Sequence, residues 1–384
     1  MRAVGVICEY NPFHNGHKHQ IEAAKKLSGC DALVCVMSGS VVQRGEVALK
    51  SKWERAKTAL QNGADLVIEL PAYYVLQSAK EFALGGINIL YKSHLVDSIS
   101  FGSESGEAEN IIKCAEIMSD KNEELKPHID KLMKEGASYP LSIRSAVEKV
   151  YPQYAHILNN PNDMLGVSYA SAILELGADF KMFPVKRLGA DHGSEALDGI
   201  TASSTAIREA LKKGEDISNL IPYEFGGETY SAKNLEAFIL GFYRTVSPKI
   251  LKEIPGMEPG FENKLISASK EAKTLDEFYD LLVSKRYTKS RVMRTSLAGI
   301  IGMKKGMECD YIRILGFTDK GAELLKSAKD KTELPFVTKT ADFSPSEKST
   351  FLYDILSTDI AALSCNNENL RGAGADFYNS PVKI

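Results

Sequence analysis

Two histidines and a glycine near the start of the chain have the spacing of a phosphate-binding turn. His14, Gly16 and His17 form an HxGH box shortly after the apolar run 3–8. A glycine lets the backbone approach a ligand where a Cβ would collide. A helix that begins there offers unpaired N–H groups and a positive dipole end to an anion. Two imidazoles beside that anion can stabilise the charge that builds on phosphorus as pyrophosphate leaves. The pattern predicts nucleotidyl transfer, with His14 and His17 as catalytic residues.

A box this short is also compatible with two solvated loop histidines that carry no chemistry. Its position favours the functional interpretation. The run before it is typical of a buried strand, and the stretch 21–27 after it has the apolar spacing of an amphipathic helix. A strand, a tight turn and a helix start are the elements that the proposed chemistry requires.

A second candidate site lies far downstream, in the segment 200–208. Its hydroxyl groups are typical of a helix N-cap, so one interpretation is a well-capped surface helix. The other is that hydroxyls, free N–H groups and an arginine hold the β- and γ-phosphates of a nucleotide. Together with the HxGH box, the segment favours phosphate binding. The residues concerned are Ser203, Ser204, Thr205 and Arg208.

Short apolar runs alternate with helical stretches through the first half of the chain. The runs 3–8, 32–37, 66–70, 98–101 and 180–185 are nearly unbroken, as in parallel strands buried on both faces. Successive strand–helix–strand units predict an α/β fold with a Rossmann-like doubly wound parallel sheet. Ligands of such sheets bind beyond the carboxyl ends of the strands. The HxGH box, Gly102 and Arg187 are all expected at that edge.

After Arg208 the alternation fades, and Pro222, Gly226 and Gly227 mark an expected boundary. The prediction is a catalytic domain over residues 1–225 and a mainly helical domain over 226–384. Short strands are expected at 311–317 and 336–340 in the second part. The last residues, 371–384, are expected to form an irregular tail.

A basic stretch lies in the second half. No acidic residue occurs between Leu281 and Met307. Such a stretch is often a solvated helix face. A surface that contacts the phosphate backbone of RNA is favoured here, because an aromatic residue, Tyr287, interleaves the charges. The expected RNA-binding residues are Lys285, Arg286, Lys289, Arg291 and Arg294.

Composition excludes several classes of protein. No run approaches the ~18 apolar residues of a membrane-spanning helix, and the first residues form a strand rather than a signal peptide. The six cysteines have neither CxxC spacing nor a zinc-ligand pattern. We therefore expect reduced thiols, no metal site built from side chains, no membrane partner and a cytoplasmic location.

Several further motifs resemble one family, the bacterial tRNA(Met) cytidine acetate ligases of the HxGH nucleotidylyltransferase superfamily. The resemblance covers essentially the whole chain and is densest over residues 1–208. The motifs are Glu9–His17, Val36–Gly39, Gln43–Glu46, Gly63–Pro71, Phe101–Glu104 and Asn162–Gly166.

The resemblance implies an enzyme that uses ATP and acetate to make N4-acetylcytidine at the wobble position of elongator tRNA(Met). Acetyl-adenylate would be the intermediate, and Mg²⁺ a companion of the triphosphate. Motifs and resemblance together predict the following ATP-binding residues: Ile7, Cys8, Glu9, Tyr10, Asn11, Pro12, Phe13, His14, Asn15, Gly16, His17, Gln20, Gly102, Asn162, Arg187, Ser203, Ser204, Thr205 and Arg208.

Two other functions share the HxGH box. One is a nucleotidylyltransferase that acts on a small phosphorylated metabolite, such as a coenzyme precursor. The other is a nucleotide-binding protein without catalysis or an RNA partner. Neither requires the basic, helical second half, which is why the tRNA ligase is the favoured prediction.

Overall fold

A mostly parallel sheet with helices on both faces organises the protein. The computed structural model describes residues 1–118, 123–137, 139–187 and 202–384, so that Ile200 and Thr201 of the hydroxyl-rich segment lie outside the described residues. The strands are β1 (Ala3–Cys8), β2 (Ala32–Ser38), β3 (Val41–Val42), β4 (Glu46–Val47), β5 (Leu66–Leu70), β6 (Ser98–Ser103), β7 (Lys181–Lys186), β8 (Ile312–Phe317), β9 (Phe336–Val337) and β10 (Val382–Lys383).

The helices of the first half cover the sheet. They are α1 (Asn15–Ser28), α2 (Lys52–Gln61), α3 (Ala72–Val75), α4 (Ala79–Ser93), α5 (Ala108–Ile117), α6 (Lys126–Lys134), α7 (Tyr139–Val150), α8 (Ala155–Leu158), α9 (Pro161–Leu176) and α10 (Ser204–Lys213). The second half adds α11 (Glu236–Thr245), α12 (Pro248–Leu251), α13 (Phe261–Glu271), α14 (Leu275–Leu282), α15 (Lys289–Ile301), α16 (Asp319–Ala328), α17 (Phe351–Leu363) and α18 (Ala375–Tyr378).

The parallel strands follow the order β5-β2-β1-β6-β7. Every residue of β1 and β2 is buried, because helices cover both faces of these central strands. The chain order reverses at β1, so the carboxyl end of β1 is the topological switch point where such folds bind ligands. The predicted α/β fold with a Rossmann-like sheet is confirmed, and the HxGH box lies at this switch point.

The second half of the chain contributes to the same sheet. Strand β8 runs antiparallel beside β5, with Leu66 opposite Phe317, and β9 and β10 pair with β8. Core residues of the helical segment, such as Leu240 and Tyr243, belong to the same hydrophobic cluster as the sheet residues Val34 and Ile68. The predicted boundary at residue 225 therefore does not separate two cores. The proposed division of labour between 1–225 and 226–384 stays a prediction.

The expectation of an irregular C-terminal tail over 371–384 is wrong. Helix α18 and strand β10 lie in this segment, and Val382 pairs with Gly316 of β8. Asp376 of α18 is 1% exposed and forms ion pairs with Lys52 and Arg313. Partners distant in sequence order the segment, and its local composition does not reveal them.

Across the described ranges, no helix has the length and apolar character needed to cross a membrane.

Candidate active site

A cavity of about 750 Å³ opens at the carboxyl edge of the sheet. Its wall combines the HxGH turn, the ends of β6 and β7 and the start of α10. Most of the predicted ATP-binding residues line it, which brings together segments almost 200 positions apart. These are Ile7, Cys8, Glu9, Tyr10, Asn11, His14, Gly16, His17, Gln20, Gly102, Asn162, Arg187, Ser203, Ser204, Thr205 and Arg208.

The two histidines of the box form a stacked pair. His14 precedes helix α1, and its ring centroid lies 3.7 Å from that of His17. The backbone N–H of His14 donates to Nδ1 of His17 over 3.3 Å. Because Nδ1 of His17 accepts this bond, the proton of the neutral ring is on Nε2. Beneath the pair, Tyr10 and Phe13 are 1% exposed and pack edge to face at 4.8 Å.

Both imidazoles are neutral near pH 7 in this site. Burial and the charge of Arg187 lower the pKa of His14 from 6.5 to about 4. Burial, His14 and Arg187 also lower the pKa of His17 well below its ordinary value. Nδ1 of His14 is buried without a hydrogen-bond partner among the described residues. Neutral rings of this kind can interact with a ligand through hydrogen bonds, and an anion placed beside them would favour their protonation.

Gly16 makes room for the His14 ring. A Cβ on Gly16 would lie 2.9 Å from Cε1 and 3.0 Å from Nδ1 of His14. Real Cβ contacts are not this short, so any side chain at position 16 would displace the imidazole. The glycine of the box is thus required by the neighbouring catalytic candidate as well as by the turn.

The segment 202–208 docks directly on the HxGH turn. Ser203 caps α10 by accepting from the N–H of Ala206 over 3.2 Å. The hydroxyl of Ser204 donates to the carbonyl of Pro12 over 3.3 Å. Arg208 donates to the carbonyl of Asn11 over 2.8 Å and forms an ion pair with Glu46 at 3.4 Å. The capping and functional interpretations of this segment are compatible, because one helix start serves both.

Three of the predicted ATP-binding residues support the turn from outside the cavity wall. Phe13 is part of the hydrophobic core. The side chain of Asn15 donates to the carbonyl of Asn219 over 2.8 Å, and its backbone N–H to that of Leu220 over 3.0 Å. The Pro12 carbonyl accepts from Ser204. These contacts hold the HxGH turn in place.

Asn162, Gly102 and Arg187 also line the cavity. The amide of Asn162 donates to Glu104 over 2.5 Å, which fixes the start of α9 against the loop after β6. Gly102 is within β6, and the exposed Arg187 follows β7 with its N–H bonded to the carbonyl of Ser103 over 2.9 Å. Arg187 is thus a cation at the cavity rim.

The sequence-based site prediction missed the hairpin formed by β3 and β4. Gln43, Arg44 and Glu46 line the cavity, and the N–H of Gln43 donates to Oε1 of Glu9 over 2.6 Å. The signal was the Gln43–Glu46 motif of the family resemblance, which carried no assigned role. Apolar wall residues were also missed, because ordinary hydrophobic positions carry no such signal. They include Phe82, Phe101, Met164, Leu165 and Tyr169.

None of the five predicted RNA-binding residues of the basic stretch lines the cavity, and three of them have protein partners. Arg286 and Arg291 both pair with Glu258, at 2.5 and 2.6 Å. Arg294 is half-buried and donates to the carbonyl of Gln43 over 3.1 Å. Lys285 and Lys289 are exposed. The acid that balances part of this charge is distant in sequence, so the local count overstates the free charge.

A metal site formed by side chains alone has no candidate in the described parts of the chain, where no three His, Cys, Asp or Glu residues are grouped suitably. The phosphates of a bound nucleotide would have to provide ligands for Mg²⁺.

The class of the protein follows from comparison with known families. The family model described as HIGH Nucleotidyl Transferase matches residues 1–375, in agreement with the sheet topology and the histidine box at its switch point. The fold and the site thus define a nucleotidyltransferase-type protein of the HIGH class.

Comparison with individual relatives identifies the family within this class. The chain is 37% identical to the tRNA(Met) cytidine acetate ligase of Thermosipho africanus and 34% identical to that of Acetivibrio thermocellus, with all of both chains covered in each case. The crystal structure of Thermotoga maritima TmcAL bound with alpha-thio ATP is similar at a TM-score of 0.90 and 28% identity, and its apo form at 0.92 and 29%, again over complete chains. The chain belongs to the tRNA(Met) cytidine acetate ligase family, which confirms the resemblance inferred from its motifs.

Proposed function

We propose that this protein activates acetate with ATP and transfers the acetyl group to N4 of the wobble cytidine of elongator tRNA(Met). The stacked pair of His14 and His17, in a cavity that also includes the Arg208 segment, is the observation that carries the proposal. The names of the relatives and the ATP analogue in the similar structure support the same activity.

In the first step, an oxygen of acetate attacks the α-phosphorus of ATP, and the bond to the bridging oxygen of pyrophosphate breaks. Neutral His14 and His17 would donate hydrogen bonds to the phosphoryl oxygens as charge builds on them. Arg187 adds a positive charge at the rim. The N-terminus of α10, with Ser203, Ser204, Thr205 and Arg208, would hold the β- and γ-phosphates. The product is acetyl-adenylate.

In the second step, cytidine N4 attacks the carbonyl carbon of the acetyl group and AMP leaves. This amine is conjugated with its ring and is a poor nucleophile, so the enzyme must position it and keep water from the mixed anhydride. Access requires the cytosine to leave the anticodon stack. The exposed Lys285 and Lys289 would contact tRNA phosphates.

ATP is the activating substrate in this proposal, and Mg²⁺ would accompany its phosphates. No step is assigned to the metal ion, since no described side-chain cluster identifies a site for it. A cytoplasmic location is part of this proposal, because its substrates are tRNA and ATP.

The decisive experiment is exchange of labelled pyrophosphate into ATP. Acetate-dependent exchange in the absence of tRNA is expected, followed by appearance of N4-acetylcytidine when tRNA(Met) is added. His14→Ala and His17→Ala should each reduce exchange by about 100-fold, as expected for loss of an oxyanion-type interaction. Exchange that needs no acetate and responds to a phosphorylated metabolite would show the alternative nucleotidylyltransferase instead. A folded His17→Ala variant with full activity would contradict the role of the box.

A further inference from the structure

Glu9 directly follows β1 and lines the cavity, and neither phosphoryl transfer nor the hold on the triphosphate described above involves its carboxylate. We propose that Glu9 is the base that takes the proton from cytidine N4 when this nitrogen attacks the acetyl group. The assignment rests on the proposed function and adds the residue that the second half of the reaction needs.

Among the described residues that line the cavity, the carboxylates are Glu9 and Glu46. Glu46 is engaged by Arg208 at 3.4 Å. The imidazoles of His14 and His17 are poor proton acceptors, because burial and neighbouring positive charge lower the pKa of both rings. Glu9 is the carboxylate at the wall that is not engaged in this way.

The structure fixes Glu9 from two directions. Its Oε1 accepts from the N–H of Gln43 over 2.6 Å, and its carbonyl accepts from the guanidinium of Arg55 over 2.6 Å. A base held in this way loses little freedom when its substrate arrives, which favours proton transfer.

The β3–β4 hairpin links Glu9 to the RNA side of the molecule. The carbonyl of Gln43 accepts from Arg294 of α15 over 3.1 Å, and Gly45 packs against the backbone of Met293 and Arg294 so closely that a Cβ would collide. Helix α15 begins at Lys289, on the surface proposed to contact tRNA. Glu9 therefore lies on the side of the cavity that is joined to this surface, where a cytosine delivered by tRNA would enter.

The charges around Glu9 are consistent with this role. Burial raises the pKa of its carboxyl group above the ordinary value, while the Gln43 N–H and the cations of Arg55, Arg208 and Arg44 oppose that rise. Burial, Cys8 and Glu9 together raise the pKa of the Tyr169 hydroxyl on α9. A carboxylate whose pKa is shifted toward neutrality is a stronger base and remains ionised above that pKa.

Atoms and electrons are conserved in the proposed step. The C–N bond forms between N4 and the acetyl carbon, the acyl C–O bond to the phosphate breaks, and AMP leaves with the electron pair. One proton moves from N4 to a carboxylate oxygen of Glu9 and then to solvent. No oxidant, reductant or further reactant is needed.

Glu9→Gln tests the assignment, because glutamine keeps an oxygen acceptor for the Gln43 N–H but cannot accept the proton. Two rates are measured with the full-length protein: acetate-dependent pyrophosphate exchange, and single-turnover acetyl transfer from preformed acetyl-adenylate to tRNA(Met). We expect transfer to fall about 100-fold, at least tenfold further than exchange. The wild-type transfer rate should decrease as the pH falls through the raised pKa of Glu9, whereas the Glu9→Gln profile should be flat. Glu9→Asp should restore part of both the rate and the pH dependence.

Glu22→Gln is the matched control, because Glu22 is an exposed carboxylate of α1 outside the cavity lining. Transfer by Glu9→Gln at the wild-type rate, or an equal loss of exchange and transfer, would overturn the assignment. So would retention of the wild-type pH dependence in Glu9→Gln, or its loss in Glu22→Gln as well. Absence of acetate-dependent exchange in the wild type would instead overturn the proposed function on which the assignment rests.

Discussion

At the scale of single residues, burial decides how the histidine box can work. The sequence identifies His14 and His17 but leaves their protonation open, since an ordinary imidazole titrates near pH 6.5. In the folded protein, His14 is 7% exposed and its pKa is lowered to about 4. The box is therefore neutral at physiological pH, and the proposed binding of phosphate to it would depend on hydrogen-bond geometry more than on fixed charge.

The lowered pKa of His14 predicts acid sensitivity of the fold. The unfolded chain binds a proton at position 14 near pH 6.5 and the folded chain only near pH 4, so acidification favours unfolding between these values. From pH 7 to pH 5, this group should cost about 2 kcal/mol of unfolding free energy. Urea denaturation at both pH values should show that His14→Gln loses about 2 kcal/mol less than the wild type. Equal losses in the two proteins would contradict the shifted pKa.

At the scale of elements, short segments hold the catalytic candidates against one another. Gly16 in the first turn of α1 leaves space for the His14 ring, and the start of α10 bonds to the carbonyls of Asn11 and Pro12. The β3–β4 hairpin connects the cavity with helix α15. The spacing of a motif cannot express these contacts, because each joins elements that are separate in the chain.

Gly16→Ala should impair adenylation without unfolding the protein. The new Cβ would lie 2.9 Å from Cε1 of His14 and would push the ring from its stacked position. We expect acetate-dependent pyrophosphate exchange to fall at least tenfold, toward the level of His14→Ala. Gly241→Ala in α11 is the control, because a Cβ there meets no atom within 4 Å. Full activity of a folded Gly16→Ala protein would refute the spatial requirement.

The basic surface is formed by the start of helix α15 and the residues before it. Its two exposed lysines, Lys285 and Lys289, allow a test of RNA binding. Reversal of both charges in Lys285→Glu/Lys289→Glu should weaken tRNA(Met) binding and reduce the slope of log affinity against log salt by about 2, since each phosphate contact contributes roughly 0.9. Exchange of pyrophosphate should be affected far less than tRNA binding. The control Lys326→Glu/Lys329→Glu reverses two exposed charges near the end of α16. An equal effect of both pairs would indicate nonspecific electrostatics.

At the scale of the whole molecule, the C-terminal segment completes the catalytic sheet. Lys52 of α2, Glu69 of β5, Arg313 of β8 and Asp376 of α18 form a buried cluster of two cations and two anions. Lys52 and Glu69 are 0% and 1% exposed. Helix α2 also carries Arg55, which bonds to the carbonyl of Glu9. The chain terminus is thus connected to the active-site strand through one helix.

Removal of one member of this cluster should be costly. In Asp376→Ala, Glu69 would be the one carboxylate left in the cluster to pair with both Lys52 and Arg313. The cluster would then carry an excess positive charge in the buried interior. The expected loss is about 3–5 kcal/mol of unfolding free energy, measured by urea denaturation. Tyr378→Ala in the same helix should change stability by less than about 0.5 kcal/mol, because Tyr378 is 85% exposed. A small effect of Asp376→Ala would show that the cluster is not essential.

Local sequence patterns were sufficient to predict much of the fold and the family of this protein. Unbroken apolar runs predicted the parallel strands, with β1 and β5 at the observed bounds, because strands buried on both faces consist mainly of apolar residues. The HxGH spacing predicted the turn that lines the cavity, and the hydroxyls before Arg208 predicted the start of α10. Motifs over the whole chain indicated the family that the comparisons confirm.

Only the tertiary structure determined which of these segments contact one another. The sequence predicted that His14 and Arg208 belong to phosphate-binding sites, and the packing of α10 against the turn brings both residues to one cavity. The sequence showed a basic stretch. Ion pairs with Glu258 and a hydrogen bond to Gln43 determine which of its cations already have a protein partner. The sequence predicted an irregular tail at residues 371–384. In the structure, ion pairs with Lys52 and Arg313 hold Asp376 of this segment in the buried interior. Strand and helix periodicity is local and can be read along the chain, whereas charge pairing and pKa shifts depend on distances that exist only after folding.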